Sequence, residues 1–205
     1  MMTIIDTHIH NVKKALDEDG REAWCFIEGA TDEEIARLRL AYPICTQELT
    51  DLLRKIGGTY HRQYSGGYIA QPIFGSDLKD YGYYLLSCDD MLEEQRMYSD
   101  SIAEQYDDFM DDPDIIYVAP EIDINVPSSN RLCFAHCINN GGTSRLYIDF
   151  SPTGTGTVGQ VVRYLHDPDS FIVLAPSFAD YITQLTQASY GYVPDDPDEY
   201  YSNNL

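Results

Sequence analysis

Basic residues are scarce in this 205-residue chain, and it has no long hydrophobic run. Thirteen lysines and arginines stand against 34 aspartates and glutamates, for a formal net charge of −21. The electrostatic field of such a net charge repels phosphate groups, so nucleic acid and anionic membranes are disfavoured as direct partners. No apolar stretch approaches the about 20 residues of a membrane helix, and the first residues lack a signal-peptide segment. We therefore expect a cytoplasmic protein that binds neither membrane nor nucleic acid.

The chain also lacks an even number of cysteines. The five cysteines are an odd number in scattered hydrophobic contexts, which is typical of reduced thiols, and we expect no disulfides: Cys25, Cys45, Cys88, Cys133 and Cys137. Hydrophobic residues make up 43% of the chain and charged residues 23%, both near the average for globular proteins, so a folded core is expected. The length suits one domain.

Four helices are predicted from capping residues and apolar spacing. A capping box from Thr31 to Glu34 starts the first, and the second runs from Thr46 to the glycine pair ending at Gly58. A longer helix with an acidic outer face is predicted from Asp89 to Asp112, and a last one from Ser177 to Leu185.

Strand signals fill two regions, residues 68–88 and 115–175. Short runs of β-branched and aromatic residues alternate there with glycine and asparagine turns. Because these runs follow one another at hairpin spacing, the predicted fold class is α+β, an antiparallel sheet packed against helices. From about Tyr190 the chain mixes proline, acid and tyrosine without a period, which indicates a tail or a loose surface strap.

An apolar run near the N-terminus ends in His8 and His10. On a β-strand the two imidazoles would share one face, a geometry that metal-dependent hydrolases use to hold a divalent ion. The motif resembles the first strand of the amidohydrolase barrel, but that fold needs about 250 residues of alternating strands and helices. A metal-dependent hydrolase using these two histidines is therefore the least favoured hypothesis.

A second metal candidate is the group around His136. Its two cysteines lack the spacing of a structural zinc site, and on a regular strand Cys133 and Cys137 would share a face with Ala135 while His136 points away. Two buried thiols in a core strand are expected instead. We expect no metal and no other cofactor.

Motifs for nucleophilic catalysis and phosphate binding are missing. No serine lies in a Gly-x-Ser-x-Gly elbow. The glycine-rich segment from Gly154 to Gly159 lacks the lysine of a P-loop and lies between two predicted strands, so a flexible hairpin loop is the favoured interpretation. We expect a protein that is not an enzyme.

Acidic residues are concentrated between residues 89 and 123, a segment we call the acidic belt. It holds thirteen acids and one base, Arg96, and so contributes −12 to the net charge. A one-sided belt speeds the encounter with a basic partner, although a solvated helix face explains it equally well. Calcium is less favoured because no Asp-x-Asp-x-Asp-Gly loop is present. The candidate partner-binding residues are Asp89, Asp90, Asp107, Asp108, Asp111 and Asp112.

The C-terminal half carries a recognisable series of segments. They are RLYIDFSP (145–152), a glycine loop, GQVVR (159–163) and LAPSFADY (174–181), preceded by a helix, a proline turn and a second helix between Thr31 and Gly58. This series resembles the SUKH superfamily, which includes bacterial immunity proteins and fungal regulators of cell-wall glucan synthesis. The resemblance implies an antiparallel sheet packed against helices, no catalysis, and function by binding a protein. In bacterial members that protein is typically a toxin, often a nuclease.

Structural roles are expected for four residues of the motif: Asp149, Pro152, Gly159 and Gln160. Leu146, Ile148 and Phe150 share one strand face, so Asp149 falls on the opposite one. There it can cap the amides of the glycine loop or contact a partner, and capping is favoured.

The resulting hypothesis is a non-catalytic, cytoplasmic immunity protein that neutralises a cognate basic toxin. The alternative is a regulatory adaptor in cell-wall or envelope synthesis. Three segments are expected: an N-terminal extension at 1–29, a SUKH-like α+β domain at 30–188, and an acidic tail rich in tyrosine and proline at 189–205.

Overall fold

The computed structural model describes residues 2–78, 81–110, 112–139 and 141–193. Within these ranges the chain forms seven α-helices: α1 (Ile4–Ala15), α2 (Glu18–Ala23), α3 (Asp32–Ala41), α4 (Gln47–Leu53), α5 (Cys88–Met97), α6 (Ile102–Tyr106) and α7 (Phe178–Gln187). It also forms nine strands: β1 (Arg62–Gln63), β2 (Tyr68–Ile69), β3 (Pro72–Phe74), β4 (Tyr83–Leu85), β5 (Ile116–Val118), β6 (Arg131–Asn139), β7 (Gly142–Asp149), β8 (Gln160–Leu165) and β9 (Asp169–Ala175).

Seven strands form one sheet in the order β3-β4-β6-β7-β8-β9-β5, and β1 pairs with β2 in a separate ribbon. Every pair in the large sheet is antiparallel except the edge strand β5, which lies parallel to β9. The predicted α+β class is thus confirmed, with one parallel edge that the hairpin spacing did not predict.

The sheet has a hydrophobic core on each face. Alternate residues of β8 belong to different cores, because successive strand residues point to opposite faces. Val161 lies in the larger core with Phe178 and other residues of α7 and α1. Val162 and Tyr164 lie in the smaller core, which is closed by α6 through Ile102.

A β-bulge interrupts the alternation of β6. Cys133 pairs with Tyr147, whereas Ala135 pairs with Leu146, so β6 has one more residue than β7 at this point, and that extra residue is Phe134. The face assignment expected for a regular strand is therefore wrong. Cys133 lies on the same face as His136, and the other face holds Ala135 and Cys137.

The predicted N-terminal strand is also wrong. Thr3 and Asp6 form a capping box that starts α1, so the chain from Ile4 onwards is helical. Ile5 and Val12 on this helix belong to the larger core, where α1 packs against α7. The apolar spacing of the segment fits a helical stripe as well as a strand.

The single acidic helix predicted from Asp89 to Asp112 is two helices. α5 ends at Met97, and α6 begins at a new capping box in which Ser101 pairs with Glu104. The chain leaves α6 through Asp107, whose φ of +38° lies in the left-handed region.

The segment predicted as a tail is described as far as residue 193. Tyr192 and Val193 are buried in the larger core. The rest of that predicted tail, residues 194–205, lies outside the described residues.

Candidate functional site

An exposed surface of acids and large apolar side chains flanks the edge strand β5. We call it the β5-edge patch, and its residues are Asp107, Asp108, Phe109, Asp112, Asp114, Ile115 and Tyr117. Phe109 is 55% exposed and Tyr117 is 54% exposed, so two aromatic rings face solvent in a segment that also holds four exposed aspartates. Aromatic side chains bordered by charges are the composition that protein interfaces favour.

Local backbone bonds hold the patch in place. The Asp112 side chain accepts a hydrogen bond of 3.0 Å from the Asp114 amide, and the Asp112 carbonyl accepts bonds from the amides of Ile115 and Ile116. The aspartate therefore builds the turn that feeds into β5.

A cavity of about 310 Å³, lined by both apolar and polar residues, opens beside β5. Its apolar lining comes from β5 and from the chain before and after it: Met110, Ile116, Val118, Ile122 and Ile124. Asp123 and Asn125 also line it. Because strand residues alternate, the cavity opens on the face of β5 opposite to Tyr117.

A buried polar network lies next to this cavity and crosses three strands. Arg131 of β6, Asp149 of β7 and Gln160 of β8 form one row of register partners. The Arg131 Nε lies 3.6 Å from Asp149 Oδ1, with the two side chains 2% and 0% exposed. Gln160 Nε2 donates to Asp149 Oδ2 at 3.1 Å, and the Ser151 amide donates to Oδ1 at 3.0 Å. We call these four residues the Asp149 network.

The Asp149 network fixes the loop that lines the cavity. Arg131 donates to the Asp123 carbonyl, and Gln160 donates to the Glu121 carbonyl at 3.2 Å. Burial lowers the pKa of Arg131, while the Asp149 charge opposes that shift. The sequence alone does not distinguish Arg131 as a network residue, because its partner Asp149 lies on the next strand and leaves no local signal.

The other motif residues shape the turn between β7 and β8. Gly159 adopts a φ of +92°, which favours glycine, and its amide donates to the Asp149 carbonyl at 2.7 Å. Gly156 packs so tightly that a Cβ there would lie 2.6 Å from the Cβ of Pro152. The Gln160 Oε1 accepts a hydrogen bond from the Thr157 amide. Hydrogen bonds and close packing therefore hold this turn in place, where the sequence favours a flexible hairpin loop.

Comparison with protein-family models matches residues 29–184 to the SMI1 / KNR4 family (SUKH-1). The chain belongs to this family. The match spans all nine strands and most of α7, including the Asp149 network, and leaves α1 and α2 outside. No curated protein matched the chain.

The candidate aspartates of the acidic belt in this SMI1 / KNR4 protein lie toward opposite edges of the sheet. Asp107, Asp108 and Asp112 lie together in the β5-edge patch, whereas Asp89 and Asp90 follow β4. Five strand spacings separate β4 from β5, which corresponds to roughly 24 Å. The remaining candidate, Asp111, lies outside the described residues.

The two aspartates after β4 already have partners. Asp89 forms a 2.8 Å ion pair with Arg37 of α3. Asp90 accepts hydrogen bonds from the amide and hydroxyl of Ser87 in the capping box of α5. These contacts make Asp90 part of the capping box of Ser87, so the β5-edge patch is the stronger candidate for binding a partner.

The two N-terminal histidines point to different sides of α1. His8 is buried, stacks on Phe74 at a ring-centroid distance of 5.6 Å, and places Nδ1 2.9 Å from the hydroxyl of Tyr190. His10 is exposed. Residues two apart on a helix do not share a face. The pair thus lacks the geometry that a shared metal ion requires.

Burial of His8 predicts a loss of stability in acid. Burial lowers its pKa from 6.5 to about 4, so between these values the unfolded chain binds a proton that the folded chain refuses. We expect the contribution of His8 to the free energy of unfolding to be fully present above about pH 6.5 and to be lost as the pH drops toward about 4. His8→Gln flattens this slope in denaturant titrations, whereas His10→Gln, at an exposed site on the same helix, leaves it unchanged. Equal slopes for the two variants would contradict the assignment.

Within the described ranges, no helix has both the length and the apolar composition needed to cross a bilayer.

Proposed function

We propose that this SMI1 / KNR4 protein is a non-catalytic, cytoplasmic immunity protein that neutralises a basic toxin. The observation that carries the proposal is the β5-edge patch, where Phe109 and Tyr117 are exposed in a segment rich in aspartate. A cavity opens at the same edge strand, on the face opposite to Tyr117. Membership of the family supports a role in immunity or regulation through protein binding.

Charge and apolar contact have separate tasks in this proposal. The carboxylates of Asp107, Asp108 and Asp112 attract a basic surface and raise the association rate, since exposed charges act mainly on encounter. Phe109 and Tyr117 supply contact area that slows dissociation. The cavity beside β5 takes an apolar side chain of the toxin.

The test starts with capture of the partner from the native host at low and high salt, followed by kinetics with the purified partner. Replacing Asp107, Asp108 and Asp112 with asparagine is expected to lower the association rate about tenfold or more at low salt, and to weaken its salt dependence. Tyr117→Ala is expected to act on the dissociation rate, at a cost of about 2 kcal/mol in binding free energy.

A matched control removes the same charge elsewhere. The triple variant Glu18→Gln, Asp19→Asn, Glu22→Gln changes α2, which lies against Gln71 beside β3, at the opposite edge of the sheet. We expect it to retain most of the association rate. Equal loss in both triple variants would indicate net charge alone and would reject the patch.

A growth assay separates neutralisation from mere binding. Co-expression of the captured toxin with the wild-type chain should restore growth, and the combined variant Phe109→Ala, Tyr117→Ala should restore it poorly. Specific capture of envelope-synthesis enzymes, with no toxin, would reject immunity in favour of the regulatory adaptor.

A further inference from the structure

Three side chains with metal-ligating atoms converge where α5 packs on β6. A carboxylate oxygen of Glu94, the Sγ of Cys133 and an imidazole nitrogen of His136 all lie within 4.8 Å of one another. The β-bulge at Phe134 brings the second and third together, because on a regular strand they would point to opposite faces. One extra residue in β6 therefore creates the group.

The imidazole of His136 has the Glu94 carboxylate near one nitrogen but no well-aligned hydrogen bond at either. Its side chain is 9% exposed, and neither ring nitrogen makes a hydrogen bond within the described part of the chain. Nε2 lies 3.3 Å from Glu94 Oε1, and the ring packs against the edge of Tyr60. A buried imidazole without a well-aligned hydrogen bond is unfavourable, and an ion bound between Nε2 and Glu94 would satisfy that nitrogen.

The donor set fits zinc, and so does the distance between the His136 and Glu94 ligand atoms. Zinc bonds to nitrogen and carboxylate oxygen are about 2.0–2.2 Å long, so two such ligands of a tetrahedron lie roughly 3.3–3.5 Å apart. The 3.3 Å between the His136 and Glu94 atoms falls in that range. Thiolate and imidazole are ligands that zinc accepts and that calcium and magnesium do not favour.

A neighbouring arginine positions the carboxylate. Arg145 Nε donates to Glu94 Oε2 at 2.9 Å, and a second guanidinium nitrogen bonds the hydroxyl of Tyr98. This leaves Oε1 directed toward His136, and hydrogen bonds of this kind orient carboxylate ligands in known metal sites.

We propose that Glu94, Cys133 and His136 bind one zinc ion that joins α5 to β6, with water as the fourth ligand. On binding, the S–H bond of Cys133 breaks, its proton passes to solvent, and a sulfur–zinc bond forms. The carboxylate and thiolate balance the charge of the ion, so with Arg145 the site carries one net positive charge in a chain of net charge −21.

The experiment uses the full chain after removal of metal with a chelator. Zinc alone is titrated in competition with a chromophoric chelator, and cobalt serves as a spectroscopic probe. We expect one ion per chain, a thiolate-to-cobalt charge-transfer band, and a higher Tm with zinc. Because loss of a partner outside the ligand set already costs 10–100-fold in affinity, Cys133→Ser and His136→Gln are each expected to cost about 100-fold or more.

The matched control is Cys137→Ser, a buried cysteine of the same strand on its other face. It should keep the stoichiometry and the cobalt band. A wild-type chain that takes up no zinc, or a cobalt complex without the thiolate band, would overturn the proposal, and neither readout requires a variant to fold. Unchanged affinity in His136→Gln would also overturn it, by assigning the ion to surface carboxylates.

Discussion

Arg131→Met is expected to lower the free energy of unfolding by about 3–5 kcal/mol. The substitution removes the cation beside Asp149, whose side chain is fully buried, and leaves a charge that only neutral donors contact. An unpaired carboxylate in the protein interior is unfavourable, because the interior solvates the charge poorly, whereas an unpaired carboxylate at the surface is solvated by water. Denaturant unfolding at neutral pH measures the difference.

Two further variants test the cause of this loss. Arg37→Met breaks an ion pair whose side chains are 48% and 62% exposed, and it should cost about 0–1 kcal/mol. Adding Asp149→Asn to Arg131→Met removes the stranded charge and should recover part of the stability. If Arg131→Met cost no more than Arg37→Met, the Asp149 network would not stabilise the sheet.

Phe134→Ala is expected to cost about 3–5 kcal/mol, through lost burial and the cavity left behind. The Phe134 side chain is fully buried, and its ring meets those of Phe74 and Phe178 edge to face, at 5.4 and 5.3 Å between centroids. These contacts join β3, the bulge of β6 and α7 at the centre of the larger core. Thermal and denaturant unfolding measure the loss.

Phe109→Ala serves as the comparison for Phe134→Ala. The Phe109 ring is mostly in solvent, so its removal should change the free energy of unfolding by no more than about 0.5 kcal/mol. A similar cost for the two phenylalanines would contradict the position of Phe134 in the core. A stable Phe109→Ala chain is also what the binding experiments require.

Helix starts were predictable where the signal is local. The capping box from Thr31 to Glu34 begins α3 as expected, because the residues that bond are three apart in sequence. Capping boxes also begin α1 at Thr3 and α6 at Ser101, but an alternation of apolar residues masks the first and a continuous helical pattern masks the second. These two capping boxes favour α1 over the predicted strand, and two helices over the single acidic helix.

Features that depend on pairing between strands were not predictable from the sequence. The residue pattern predicts the segment that forms β6, but the bulge at Phe134 depends on how β6 and β7 pair, so the faces predicted for Cys133 and His136 are wrong. The burial of Arg131 likewise follows from its register with Asp149. Candidate sites built on such contacts therefore emerge only in the folded chain.

The parallel pairing of β5 with β9 has a consequence for folding during synthesis. Strands β6 to β9 join through successive hairpins, so they can associate while they are close in sequence. Ile116 of β5 instead pairs with Asp169, 53 residues later, and closing that long loop is slower. A ribosome releases β5 well before its partner exists. The edge proposed to bind the toxin is thus completed late, and a nascent or truncated chain that lacks β9 cannot present it.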